Sequence, residues 1–216
     1  MIPVARAPEP ADFDSKVRQP GLRAVEELIG SPNLPKRPGK PRKVVASTKD
    51  TIPPGKFPTL WTRSLDDLMD AYAEVCAYTC FRIHPVTGAR SVDHFFPKSE
   101  SWDQVYEWNN YRLCCSPINS KKGEHLDVLD PFTIQPNWFV LELVGFQVLA
   151  KESLDTVTKA RVKATIERLN LDAFNKRREN DAEDYWNRDV SYKVLCRDSP
   201  FVAYELKRLG RTNPGD

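Results

Sequence analysis

The sequence predicts an α+β protein: a strand–strand–helix core near the middle, a Pro-rich arm before it and a mainly helical extension after it. Three observations carry this. Many of the 18 prolines fall before Thr59, where they fix φ and remove backbone donors, so the first quarter is not expected to be regular. Two short apolar runs, at 91–97 and 111–115, have strand character and lead into a helix start. Beyond residue 150, apolar side chains recur every three or four residues among charged ones. The expected boundaries are 1–58 for the arm, 59–135 for the core and 136–216 for the extension.

In chain order, 1–58 reads as an extended arm with one helical turn near 24–29. Residues 64–79 form the first convincing helix. Ser64 is its N-cap, Asp66 and Asp67 suit the positive end of the dipole, and Leu65, Leu68, Met69, Tyr72 and Val75–Cys76 make one apolar face. Pro85 and Gly88 mark a turn. A strand follows, then a loop over 98–110 holding Trp102, Tyr106 and Trp108, then a second strand. Ser116-Pro117 suits a helix N-terminus. The apolar run 139–149 reads as strands, with Gly145 at a bend. Asp155 caps a helix over 156–169 whose apolar positions include Val157, Ala160, Val162, Ala164, Ile166 and Leu169. A charged helix over 172–187 is anchored by Phe174, Tyr185 and Trp186. Ser199-Pro200 opens a last helix that Gly210 ends.

Thirty-two basic and 30 acidic residues leave a formal charge of +2 at pH 7, so bulk charge does not announce a nucleic-acid binder. The charge is nonetheless patterned. Lys36, Arg37, Lys40, Arg42 and Lys43 enclose no acid, and Arg161, Lys163, Arg168 and 176–178 add later clusters. Such runs serve either as solvated faces or as phosphate contacts. No run of ~18 apolar residues suggests a membrane span. The opening 20 residues are Pro-rich and charged rather than signal-like. A cytoplasmic, reducing compartment is therefore expected, in which the five cysteines stay thiols or bind metal.

The chemistry concentrates in Ser91-Val92-Asp93-His94-Phe95-Phe96-Pro97-Lys98, Trp108-Asn109-Asn110-Tyr111-Arg112-Leu113-Cys114-Cys115 and Asn119-Ser120-Lys121-Lys122-Gly123. Phosphodiester hydrolysis needs a base for water, and an imidazole titrating near neutrality suits it. It also needs positive charge where the phosphate gains negative charge, which a hard divalent cation on oxygen ligands supplies. Asp93 offers a carboxylate oxygen and Asn119 an amide oxygen, while Asn110 suits holding the loop that aims His94. Asn109 competes with Asn110 for that role, and His125 is an alternative ligand. The loop aromatics either pack in the core or stack on bases.

The ordered set Asp93-His94, Asn110, Asn119 and Lys122, with eight residues between the last two asparagines, resembles the HNH (ββα-metal) endonuclease family. The resemblance is strongest over 76–124. It extends more weakly to Ala164-Thr165-Ile166-Glu167-Arg168-Leu169-Asn170-Leu171 and Ser199-Pro200-Phe201, which are similar to segments of stand-alone and Septu-like bacterial HNH proteins. It implies a ββα-metal core and a Mg²⁺- or Mn²⁺-dependent nuclease. His94 is then the general base, Asn110 the structural asparagine, and Asp93 and Asn119 the metal ligands. Lys98, Arg112 and Lys122 become candidate phosphate contacts. DNA is the expected substrate because that is the commoner use of the motif, with RNA as the alternative. Some of these relatives accompany an ABC-type ATPase in anti-phage defence, so a subunit inactive without such a partner is one rival. A catalytically silent nucleic-acid-binding module is another.

Many members carry two Cys-x-x-Cys pairs around a structural zinc. Here Cys76 and Cys80 are one residue too far apart, and Cys114 and Cys115 are adjacent. Cys76, Cys80 and one of Cys114 or Cys115, with His84, supply a minimal zinc set. Buried thiols without zinc fit the altered spacing better.

Overall fold

Phe13 and Val17 are completely buried and anchor a helix where the prolines predict an extended arm. The structure, a computed structural model, describes residues 1–32, 34 and 42–216. A π-helical turn, Asp14–Arg18, runs into helix α1 (Gln19–Leu28), with Pro20 in its first turn. Val17, Ala24, Val25 and Leu28 form its inner face. Gly21 lies against the Tyr106 ring so closely that a Cβ would sit 2.3 Å from a ring carbon. Further ties pin this segment down: Val4 N–H donates to the Pro131 carbonyl at 2.9 Å, and Trp108 Nε1–H to the Ala7 carbonyl at 3.0 Å. Of the basic run, Lys36, Arg37 and Lys40 lie outside the described residues. Arg42 pairs with Glu27 at 2.8 Å.

Helix α2 (Leu65–Ala71) is shorter than the 64–79 expected. Ala73 and Glu74 adopt φ of 50° and 63°, a left-handed pair that α-helix geometry does not admit. A tight loop follows, closed by a bridge between Val75 and Arg82 and carrying Cys76, Tyr78 and Cys80. Ala77 N–H donates to the Leu113 carbonyl, which moors this loop to the next strand pair.

That pair is β1 (Arg90–His94) and β2 (Tyr111–Cys115), antiparallel, with His94 opposite Tyr111 and Arg90 opposite Cys115. The chain then turns directly into α3 (Ser116–Lys122), with Pro117 in the first turn and Gly123 at φ +49° ending it. Ile118 and Lys122, four residues apart and both fully buried, are the face that α3 turns inward.

The extension begins with the hairpin β3 (Phe139–Leu141) and β4 (Val148–Ala150). Helix α4 (Thr156–Leu169) starts at Asp155, whose carboxylate accepts from Val157 and Thr158 N–H at 3.0 Å. Val162, Thr165 and Leu169 are its buried residues, whereas Val157, expected on the apolar face, is 71% exposed. Helices α5 (Asn175–Trp186), α6 (Tyr192–Asp198) and α7 (Pro200–Arg208) complete the chain. The helix expected from 172 starts at 175, after a 3₁₀ turn. Buried Glu205 accepts from Leu141 N–H and Arg208, joining α7 to β3. The architecture is thus mixed helix with two small antiparallel sheets. Side chains from the first helix, the central hairpin and the extension share one continuous apolar core. Among the described residues no helix is long and apolar enough to cross a membrane.

Candidate active site

A cleft of about 400 Å³ opens where β1, the loop after it and α3 meet. Asp93, His94, Lys98, Asn119 and Glu124 line it, with Trp61 at one wall. Of the seven cleft-segment residues singled out from sequence, four reach this cleft. Asn110 underpins it from behind, and two lie elsewhere.

His94 is held on several sides. Its Nε2 lies 3.0 Å from the Val105 carbonyl. A carbonyl only accepts, so Nε2 carries the proton, and in the neutral ring Nδ1 keeps its lone pair. Trp61 and Tyr111 meet the ring edge-to-face at 4.7 and 5.2 Å. The Tyr111 hydroxyl donates to the same Val105 carbonyl at 2.9 Å. Burial, joined by the nearby charge of Lys98, holds the imidazole down to about 3. Titration near neutrality, expected for an imidazole in water, does not survive the loss of water around a ring that is 7% exposed.

Asn110 ends the loop that returns from His94, and all three of its side-chain bonds go to that loop. Its Oδ1 accepts from Phe96 N–H at 2.7 Å, and its Nδ2 donates to the carbonyls of Phe96 at 3.0 Å and Gln104 at 2.9 Å. The loop cannot move without breaking them, so the Val105 carbonyl stays under His94. Neighbouring Asn109 is exposed.

Asp93 is 1% exposed and doubly held. Tyr78 donates its hydroxyl to Oδ2 at 2.5 Å, and the Lys122 ammonium lies 3.0 Å from Oδ1. Burial pushes this carboxyl above its ordinary range, while Lys122 and Tyr78 pull it back. Asn119 donates Nδ2 to Ser91 Oγ at 2.7 Å and to the Val92 carbonyl at 3.2 Å. The second acceptor can only be met by the amide nitrogen, so Oδ1 is the oxygen left for another partner.

Lys98 lies 4.8 Å from the Trp61 ring centroid, and burial lowers its ammonium below the ordinary lysine range. Arg112 and Lys122 differ from the phosphate-contact expectation. Arg112 is 1% exposed and grips Asp130 with two 2.8 Å bonds while stacking on Phe132. Lys122 is 0% exposed, and its ammonium also donates to the carbonyls of His94 and Phe95. Both cations are spent inside the fold. His125 is exposed and outside the cleft lining, and His84 accepts from the N–H groups of Val86 and Thr87 in its own turn. Tyr106 and Trp108 are core residues, while Trp102 is half-buried under Lys49.

Sequence reasoning missed Tyr78 and Trp61. Tyr78 fell inside the overlong first helix, and Trp61 belongs to a 3₁₀ turn that carries no pattern of its own. At the cysteines, Cys76 and Cys115 bring their sulfurs to 4.0 Å. Among the described residues no three His, Cys, Asp or Glu side chains gather to hold a metal; an amide ligand such as Asn119 stands outside that set. The chain matches no model of a known protein family, and no curated protein matches it.

Proposed function

We propose that the chain is a metal-dependent endonuclease of the HNH type, hydrolysing phosphodiester bonds with His94 as the base, with DNA as the preferred substrate and RNA as the alternative. The observation that carries this reading is the pinned tautomer of His94. A buried imidazole with Nε2–H on a carbonyl keeps one lone pair, at Nδ1, and the residue lines a cleft with a carboxylate, an amide and a lysine. A satisfied core histidine has no use for such companions.

Asp93 and Asn119 would hold the cation. Both residues line the cleft, and their donors are hard oxygens. The Asp93 oxygens keep lone pairs beyond those taken by Tyr78 and Lys122, and the orientation of Asn119 leaves Oδ1 available. Two protein ligands suit Mg²⁺ or Mn²⁺, which keep much of their water. When bound, the ion supplies charge stabilisation for the phosphate and the leaving oxygen. His94 takes the proton of the attacking water at Nδ1. The neutral ring is the form that accepts, and the Val105 carbonyl stabilises the imidazolium that forms. Lys98 pairs with a non-bridging phosphate oxygen. Asn110 keeps loop and base in register.

An ABC-type ATPase partner and a role in bacterial anti-phage defence belong to this reading through the resemblance to stand-alone and Septu-like HNH proteins, and a cytoplasmic location through the Pro-rich, charged opening and the lack of a long apolar run. The test is incubation of the full chain with plasmid DNA and with total RNA in Mg²⁺ or Mn²⁺, against EDTA. Metal-dependent cutting supports the reading, and an Asn119→Ala chain should then need more metal for the same rate. Cutting that survives EDTA contradicts it.

A further inference from the structure

Outside the proposed active site, one pair of reactive groups is brought together across the fold. Cys76 comes from the loop between α2 and β1, and Cys115 from the end of β2. They are 39 positions apart, yet Cys76 Sγ lies 4.0 Å from Cys115 Sγ. All five cysteines are free thiols. We propose that Cys76 and Cys115 are an oxidation site: a dithiol that a hydroperoxide converts to an intramolecular disulfide.

Geometry makes the pair distinct from the other three cysteines. The sulfurs need to approach by about 2 Å to reach disulfide length. Cys115 is only partly buried, and both residues line a separate cleft of about 330 Å³ with Thr79, His84 and Gly88, which gives a small oxidant access. Cys76, Cys80 and Cys114 are all buried, but of these Cys76 lines that cleft and the other two do not; Cys196 is exposed on α6. The electronic division of labour is also set. Burial pushes the Cys76 thiol up, but hydrogen bonds with Cys115 and Thr79 outweigh it and bring Cys76 below the ordinary thiol range. Cys115, its partner, is raised. Cys76, lowered and lying beside Thr79, is assigned as the attacking thiolate and Cys115, the more exposed of the two, as the resolving thiol; the linked product is the same in either order.

The step balances. The Cys76 thiolate attacks one peroxide oxygen, the O–O bond breaks, and the leaving oxygen takes a proton to become water or an alcohol. Cys76 is then a sulfenic acid. The Cys115 sulfur, losing its proton, attacks the Cys76 sulfur. The S–O bond breaks, a water leaves, and the S–S bond forms. Two electrons pass from the sulfur pair to the peroxide. The product ties the loop that holds Asp93 through Tyr78 to the residue that opens α3.

The test treats the full native chain with hydrogen peroxide, alkylates remaining thiols and maps peptides without reduction. Trypsin places Cys76 in peptide 64–82 and Cys115 in peptide 113–121. The expected result is a linked species lighter by two hydrogens than the sum of the two peptides, with fragmentation assigning Cys76 to Cys115. Cys115→Ser should abolish the link, leaving Cys76 to oxidise further, and Cys196→Ser should leave it intact. Fragmentation of the wild-type product decides the matter even if Cys115→Ser fails to fold. Three results overturn the proposal: a link through Cys80 or Cys114, sulfinic acid on Cys76 in the wild type without any link, or both thiols shielded by stoichiometric zinc in the purified chain.

Discussion

His94 is kept neutral by burial down to about pH 3, while an exposed histidine protonates near 6.5. The unfolded chain therefore binds a proton in this window that the folded chain refuses. Stability contributed by neutral His94 is present above about 6.5 and is lost as pH falls toward 3, at up to about 1.4 kcal/mol per pH unit. Urea unfolding of wild type and His94→Gln across that window should show the acid slope reduced by this amount in the variant; parallel slopes contradict the buried, neutral ring. Arg112 supplies a second residue-scale prediction. Asp130→Ala strands a buried guanidinium and should cost ~3–5 kcal/mol in the same assay. A loss under ~1 kcal/mol would mean that the pair behaves as an exposed one. The site residues were legible because their order along the chain is itself a pattern. Their burial was not: nothing in Arg112 or Lys122 as letters tells whether a cation faces phosphate or a carboxylate that lies eighteen or twenty-nine residues away.

Elements were legible where local chemistry decides them. Asp155 as a cap, Ser116-Pro117 at a helix start and Gly210 after the last helix all act within one turn, and the structure has them there. The helix at 64–79 was overextended because its apolar periodicity continues into residues that tertiary contacts bend away, at Ala73 and Glu74. The opposite error occurred at α1. Phe13, Val17, Ala24 and Leu28 have helical spacing, but proline density hid it, and α6 was overlooked for lack of length. Gly21 is the critical residue of α1, because only a bare Cα tolerates the Tyr106 ring. Gly21→Ala should therefore destabilise by ~1–3 kcal/mol, although alanine favours helices elsewhere. An unchanged or higher melting temperature would show that α1 does not pack on Tyr106 as described.

At the scale of the molecule, the sequence suggested three parts, and the structure joins them through shared burial. Phe13 touches Trp108 and Tyr111 edge-on, Leu129 N–H donates to Thr165 Oγ1, and Glu205 bonds β3. Contacts so distributed predict one cooperative transition. Calorimetry and tryptophan fluorescence should give the same midpoint; an early transition confined to one probe would restore a separable arm or extension. Six of the fourteen basic residues of the extension pair with acids nearby, as Arg168 does with Asp127 and Arg177 with Asp181.

The central claim rests on His94, and one comparison tests it: plasmid cleavage by wild type and His94→Ala at equal concentration in Mg²⁺ or Mn²⁺, with matched circular dichroism spectra. The account predicts metal-dependent cutting by the wild type and a rate at least ~100-fold lower in the variant. Equal cutting by both chains would contradict it, because His94 is the residue assigned to take the proton of the attacking water.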